Sequence, residues 1–212
     1  MSVKKRQGEI LGKKVVQALQ KNNFQAEYVE DKETAIRRLL ELIPTEGTVG
    51  VGGSVTIEEL KITDQLAARG NKVYWHNTPG LDPEEAQEIR IKQQTCDCFL
   101  TSTNAVTLDG ILVNEDGTGN RVSAMIFGPK KVIIVTGINK IVKDVEAAIE
   151  RIEMIAGPQN CLRLNYNTPC TKLGYCQDCQ SERRICNVTT IMRKRPRLTD
   201  ITVLIIGEEL GY

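Results

Sequence analysis

The sequence predicts an α/β fold, a mostly parallel sheet with helices on both faces. Three observations predict it. Apolar runs of strand length alternate with amphipathic segments of helix length along the chain. Two of the runs, KVIIVT (131–136) and ITVLII (201–206), are apolar almost throughout, as expected of strands covered on both faces. No internal repeat or low-complexity tract interrupts this alternation, so residues 1–212 read as a single domain.

Residues 3–22 place Val3, Ile10, Leu11, Val15 and Leu19 near helical spacing. A second helix is expected from about Asp31, a good N-cap, to Ile43 before Pro44. Thr48–Val51 reads as a short strand ending in a glycine turn, and 57–69 as a helix stopped by Gly70. Lys72–Trp75 is the next strand. Asp82 caps a helix that carries Pro83 at its first position. Residues 97–101 form a strand, and 106–113 a hairpin around Asp109-Gly110. After the KVIIVT strand, a long helix is expected over 139–156, ending at Gly157-Pro158. ITVLII is the last strand. It lies beyond a cysteine-rich, basic stretch, so 160–198 reads as an insertion anchored to the domain.

With 41% hydrophobic and 26% charged residues the chain has the composition of a folded globular protein. No stretch approaches the roughly 18 consecutive apolar residues that a membrane span requires. The N-terminal MSVKKRQGEILGKKVV has charges throughout and no signal-peptide core, so a cytoplasmic location is expected. Seven cysteines in a reducing compartment point to thiols or metal ligands and away from structural disulfides. The net charge of +1 hides an asymmetry: residues 160–198 carry eight basic and two acidic side chains, net +6, against −5 for the rest. Such a segment suits a nucleic-acid surface or the surroundings of an anionic centre. Five of the cysteines fall between Cys161 and Cys186, which favours the second reading.

Three sets of residues can carry chemistry. The first is Gly50-Val51-Gly52-Gly53-Ser54, between a strand and a helix, where backbone N–H groups can face an anion. It is neither a dinucleotide fingerprint, because Val55 stands where glycine is needed, nor a P-loop. The second is the polar run from Ser102 to Arg121, including Asn104, Thr107, Asp109 and Asn120. Asn and Thr can hydrogen-bond a carbonyl or hydroxyl, and Arg121 can grip a carboxylate or phosphate. Some of these residues are simply turn formers.

The third is Cys170-x5-Cys176-x2-Cys179-x6-Cys186, with Cys161 in reserve. Four thiolates at short spacing can hold an iron–sulfur cluster of the 4Fe–4S type or a zinc ion. The absence of two matching C-x-x-C pairs and the nearby Lys172, Arg183 and Arg184 favour the cluster. Cys96 and Cys98 are expected in the core, facing the same side. The lone His76 stands at a strand end. The basic run Arg193–Arg197, with few aromatic residues near it, reads as a solvated loop, so nucleic acid is not expected as a partner.

The segments VGVGGSVTIEEL (49–60) and FLTSTNAVTLDGILVNEDGTGNRVSAMIFGPKKVIIVTGINKIV (99–142), with the helix after them, resemble the lactate-utilization (LUD) domain family. The resemblance covers roughly residues 1–157 and extends to lactate-utilization C-type proteins. It implies a fold like that of the ribose-5-phosphate isomerase, glucosamine-phosphate deaminase and coenzyme A transferase group. In that fold Gly52, Gly53, Ser54 and Thr56 would line one side of a ligand pocket. Asn104, Thr107, Asp109, Asn120 and Arg121 would line the other. The resemblance also implies lactate oxidation alongside an iron–sulfur partner subunit, and it assigns no catalytic residue. The expectation is a redox-associated metabolic protein with a small anionic ligand, as a monomer or homo-oligomer. The alternative is a non-catalytic ligand- or redox-sensing or scaffold protein with a structural zinc site.

Overall fold

The computed structural model describes residues 2–212. The chain opens with α1 (Val3–Lys21), β1 (Gln25–Val29) and α2 (Lys32–Leu42). Then come β2 (Thr48–Val51), α3 (Val55–Leu60), α4 (Ile62–Ala68), β3 (Lys72–Trp75) and α5 (Pro83–Gln93). The middle holds β4 (Cys98–Ser102), β5 (Ala105–Thr107), β6 (Leu112–Asp116), α6 (Asn120–Ile126) and β7 (Lys131–Gly137). A 3-10 turn leads into β8 (Ile141–Val142) and α7 (Val145–Arg151). A π-turn at 152–156 joins α7 to α8 (Gly157–Arg163), followed by α9 (Pro169–Leu173), β9 (Val188–Met192) and β10 (Asp200–Ile206).

Six strands form one parallel sheet in the order β1-β10-β7-β4-β2-β3. Successive side chains of a strand point to opposite faces, and this explains the near-continuous apolar runs. Ile133, Val135, Leu204 and Ile206 pack with Leu39, Ile57, Leu60 and Leu66 of α2, α3 and α4 on one face. Val132, Ile134, Ile201, Val203 and Ile205 pack with Val15 and Leu19 of α1, and with Ala124 and Met125 of α6, on the other. A second sheet, β8-β5-β6-β9, lies beside the first, with β5–β6 and β6–β9 antiparallel.

The caps are where the sequence indicates. Asp31 accepts from Thr34 N, and Asp82 forms a capping box with Glu85 around Pro83. Four other expectations need correction. Residues 57–69 are two helices and not one, because Lys61 adopts a left-handed φ of 50° between them. The edge strand β1 was not expected, since it is five residues long and only Ala26 and Val29 of it are buried.

The helix expected over 139–156 is replaced at its start by β8, where Ile141 pairs with Val106. At the other end the helix runs through Gly157 and Pro158 into α8. The wider π-turn just before Pro158 accommodates a residue that has no N–H to donate. Cys96 and Cys98 are both buried core residues, but on opposite faces of the sheet: Cys96 precedes the strand and packs beside Phe99, whereas Cys98 packs with Leu100.

The cysteine-rich stretch begins inside α8 and comes back to the body through β9, which pairs with β6 before the chain enters the central strand β10. Among the described residues no helix is long and apolar enough to cross a membrane.

Candidate functional site

The carboxyl ends of parallel strands are where open α/β sheets build ligand sites, and here they open into a cleft of about 250 Å³. Strand β2 delivers Gly53 and Ser54, β3 delivers His76, and β4 delivers Ser102 and Asn104. Lys140 follows the end of β7, and Tyr212 comes from the tail beyond β10. Asn120 and Arg121, at the start of α6, close the far wall. The cleft thus brings together Gly53, Ser54, Thr56, Asn104, Asn120 and Arg121.

Three residues expected there do other work. Thr107 and Asp109 bond to each other at the tip of the β5–β6 hairpin. That tip points toward α1, where Asn22 Nδ2 donates to the Asp109 and Gly110 carbonyls at 2.8 and 3.0 Å. The hairpin's open end, with Asn104, faces the cleft. Its direction, which the sequence pattern does not encode, separates the two groups. Gly52 lies beneath the cleft, with its N–H spent on Leu100 O at 3.0 Å. A Cβ there would meet Thr101 Oγ1 at 2.8 Å and Arg121 Cγ at 3.3 Å, so Gly52 serves close packing and not an anion.

Arg121 lines the wall with its guanidinium already engaged. Nη1 donates to Ser102 O and Asn114 Oδ1, and Nη2 to Asn104 Oδ1 and Glu115 O, at 2.7–3.1 Å. Nε faces Asp116 Oδ2 at 3.4 Å, both side chains being about a tenth exposed. Asp116 also accepts from Thr118 N and Gly119 N, holding the turn before α6. Arg121 is therefore a strut that ties β4, β6 and α6 together, and its fork is not free to clasp a ligand.

His76 is held with a defined tautomer. The two amide protons of Gln93 go to Val51 O and Tyr74 O, at 2.8 and 2.9 Å. Gln93 Oε1 then accepts from His76 Nδ1–H at 3.2 Å. This leaves Nε2 unprotonated, and it faces Gly53, where an added Cβ would lie 3.5 Å from it. Burial, reinforced by Arg90, lowers the pKa of the imidazole below its ordinary value, so the ring is held neutral.

The residue that sequence reasoning missed is Lys140. It is 4% exposed, and its Nζ donates to Thr56 Oγ1 at 2.9 Å and Ser102 Oγ at 3.1 Å. Burial, then Arg151 and Arg121, push its pKa down to about 7, with Glu59 opposing. Among the described residues it forms no ion pair with a carboxylate. The available signal was its place, a single lysine among Ile138, Ile141 and Val142 just past the end of a central strand.

A second cavity, of about 170 Å³, adjoins the first. Cys161, Cys170, Cys176 and Cys186 line it, while Cys179 stands half-buried outside the lining. Glu115, Ile152, Gly157, Ile185 and Cys186 border both cavities. Arg184 braces the loop, donating to Cys179 O at 2.7 Å and Cys186 O at 2.9 Å while pairing with Asp178. Arg183 lies over the Tyr166 ring at 5.5 Å. Burial pushes the Cys161 thiol up to about 11 and the Cys186 thiol up to about 12. The cysteines are neighbours around one cavity. Among the described residues, no three His, Cys, Asp or Glu side chains are arranged to hold a metal ion.

No curated protein matches the sequence. Among solved structures, the chain is similar to a DUF162 family protein from Deinococcus radiodurans, at 13% identity and a TM-score of 0.54. That match covers 94% of this chain and 98% of the other, and at this identity it speaks for the fold. The family profile described as the LUD domain matches residues 12–206, nearly the whole sheet and the cysteine segment within it. The chain belongs to the LUD domain family.

Proposed function

We propose that this chain is a redox-associated metabolic protein of the lactate-utilization type. In this reading the cleft binds a small carboxylate or phosphate-bearing anion, and the adjoining cysteine cavity carries an iron–sulfur centre. One observation carries it: the polar cleft at the strand ends and the cysteine cavity share a wall that includes Cys186. A ligand in one would therefore sit next to a redox group in the other. The cleft favours an anion because Asp116 is committed to Arg121, which leaves Arg90 and Arg163 against Glu115 to set its charge.

The donors suit the group by their chemistry, although among the described residues they are not arranged as a ligand set. Cys161, Cys170, Cys176 and Cys186 supply four soft thiol ligands around one cavity, and Cys179 is near enough to influence Cys161 electrostatically. An iron–sulfur cluster bound there would supply one-electron transfer. The chain's own contribution is to hold the ligand at the strand ends, keep His76 neutral and brace the loop with Arg184.

Purification without oxygen, followed by iron, sulfide and zinc analysis, tests the centre. The expected result is brown protein whose colour is lost in Cys176→Ser and Cys186→Ser, with the 164–187 segment becoming protease-sensitive and the sheet staying folded. Colourless protein with stoichiometric zinc would favour the sensing or scaffold reading, and protein with neither metal would remove the centre. Calorimetric titration with pyruvate, lactate and inorganic phosphate tests the cleft separately, and no heat from any of them would remove the anion site.

A further inference from the structure

We propose that Lys140 is the substrate-touching group of the cleft and condenses with the carbonyl carbon of a small 2-oxo acid to form an imine. The inference rests on the reading of the cleft as an anion site and names the ligand class for it.

The hydrogen bonds around Nζ define its role. Thr56 Oγ1 donates its own hydrogen to Leu210 O at 3.4 Å, and Ser102 Oγ donates to Thr103 O at 3.3 Å. Both hydroxyls must then accept from Lys140, at 2.9 and 3.1 Å. A neutral amine has two hydrogens, and these two bonds use both. Its lone pair is left in the remaining tetrahedral direction, on a residue that lines the cleft.

The surroundings favour the neutral amine. A lysine 4% exposed with no carboxylate partner among the described residues cannot remain charged without a large desolvation cost. Arg151 and Arg121 face it from α7 and α6, and Glu59 opposes them from α3 while bonding Gly211 N at 3.1 Å. Burial first, then the two arginines, bring its pKa to about 7. Desolvation beside other cations is how lysine becomes a nucleophile for carbonyl compounds. Arg90 and Arg163, which line the cleft, attract the anionic carboxylate that a 2-oxo acid carries next to its carbonyl.

The chemistry balances without an oxidant. The Nζ lone pair bonds to the carbonyl carbon, the C=O π pair moves to oxygen, and a proton passes from nitrogen to that oxygen. The carbinolamine then loses its hydroxyl together with the remaining N–H proton as water, and the nitrogen pair forms C=N. Borohydride delivers hydride to the imine carbon and makes the link permanent as a secondary amine.

The test uses the full chain with pyruvate and cyanoborohydride, followed by peptide mass analysis. The expected adduct sits on Lys140 at least about tenfold more than on any exposed lysine at neutral pH, because exposed lysines remain protonated there. It disappears in Lys140→Met, which, like the neutral amine, carries no charge. Lactate, which has no ketone carbonyl, suppresses trapping without being trapped. Pyruvate binding by calorimetry with no adduct at Lys140 would overturn this inference while leaving the anion site standing. Absence of both binding and adduct would overturn the anion site and the inference with it. Because trapping is read on the wild-type chain, the result does not depend on how a variant folds.

Discussion

The cleft and the cysteine cavity share a wall but are built in opposite ways. Polar groups of the cleft hang from the ends of buried strands, and their partners come from other strands: Arg121 reaches Ser102, Asn104 and Glu115, and Lys140 reaches Thr56 and Ser102. The cysteine cavity is closed by a segment with one five-residue helix, α9, and exposed apolar side chains such as Leu173 and Tyr175. It is tied down by a few polar links, among them Cys176 N to Glu153 O at 2.8 Å and Asn187 N to Asp116 O at 3.1 Å. The difference teaches that the sheet pre-organises the first site, whereas the second has little apolar packing of its own to hold its thiols in place.

The strongest way to break this contrast is to remove the strut of the cleft. Arg121→Met should lower stability by about 3–5 kcal/mol, since it leaves Asp116 buried without its partner. Lys should not rescue it, because an ammonium cannot serve five acceptors in a planar fork. Urea unfolding measures this, and a loss under about 1 kcal/mol would mean the wall is held by packing instead.

A second test follows the buried lysine of the cleft by pH. Lys140 is depressed to about 7 in the folded chain from an ordinary value of 10.5. Between these values the unfolded chain binds the extra proton, so stability rises with pH. The cost of burying the lysine is fully present below about pH 7 and gone above 10.5. Relative to Lys140→Met, the wild type should gain up to about 1.4 kcal/mol per pH unit in that window. Parallel pH profiles would show that the amine stays charged when folded.

The smallest effect on stability is expected from Gly53→Leu. An added Cβ there meets Asn77 Nδ2 at 3.4 Å and His76 Nε2 at 3.5 Å, ordinary contacts, so the fold should shift by no more than about 0.5 kcal/mol. The rest of the side chain projects into the cleft, and pyruvate or phosphate affinity should fall sharply. Unchanged affinity for every anion that binds the wild type would remove Gly53 from the site.

Much of the sheet was legible because burial on both faces leaves a plain mark. KVIIVT and ITVLII became β7 and β10, and Asp31 and Asp82 marked true helix starts because their side chains satisfy N–H groups within three residues. Local chemistry of that kind can be read from neighbours in the chain. The edge strand β1 and the short β8 were not legible, since partners distant in sequence define them.

The cleft divides along the same line. The sequence by itself determined which stretches end at strand termini, and so which polar residues stand near one another: Gly53, Ser54, Asn104, Asn120 and Arg121. Only the tertiary structure decided what each of them is free to do. It turned the tip carrying Thr107 and Asp109 away, spent the guanidinium of Arg121 on the protein, and left the amine of Lys140 buried with no carboxylate paired to it among the described residues. The reason is physical. A residue type states which bonds a side chain can make, but the bonds it has left for a ligand depend on groups that folding brings from elsewhere in the chain.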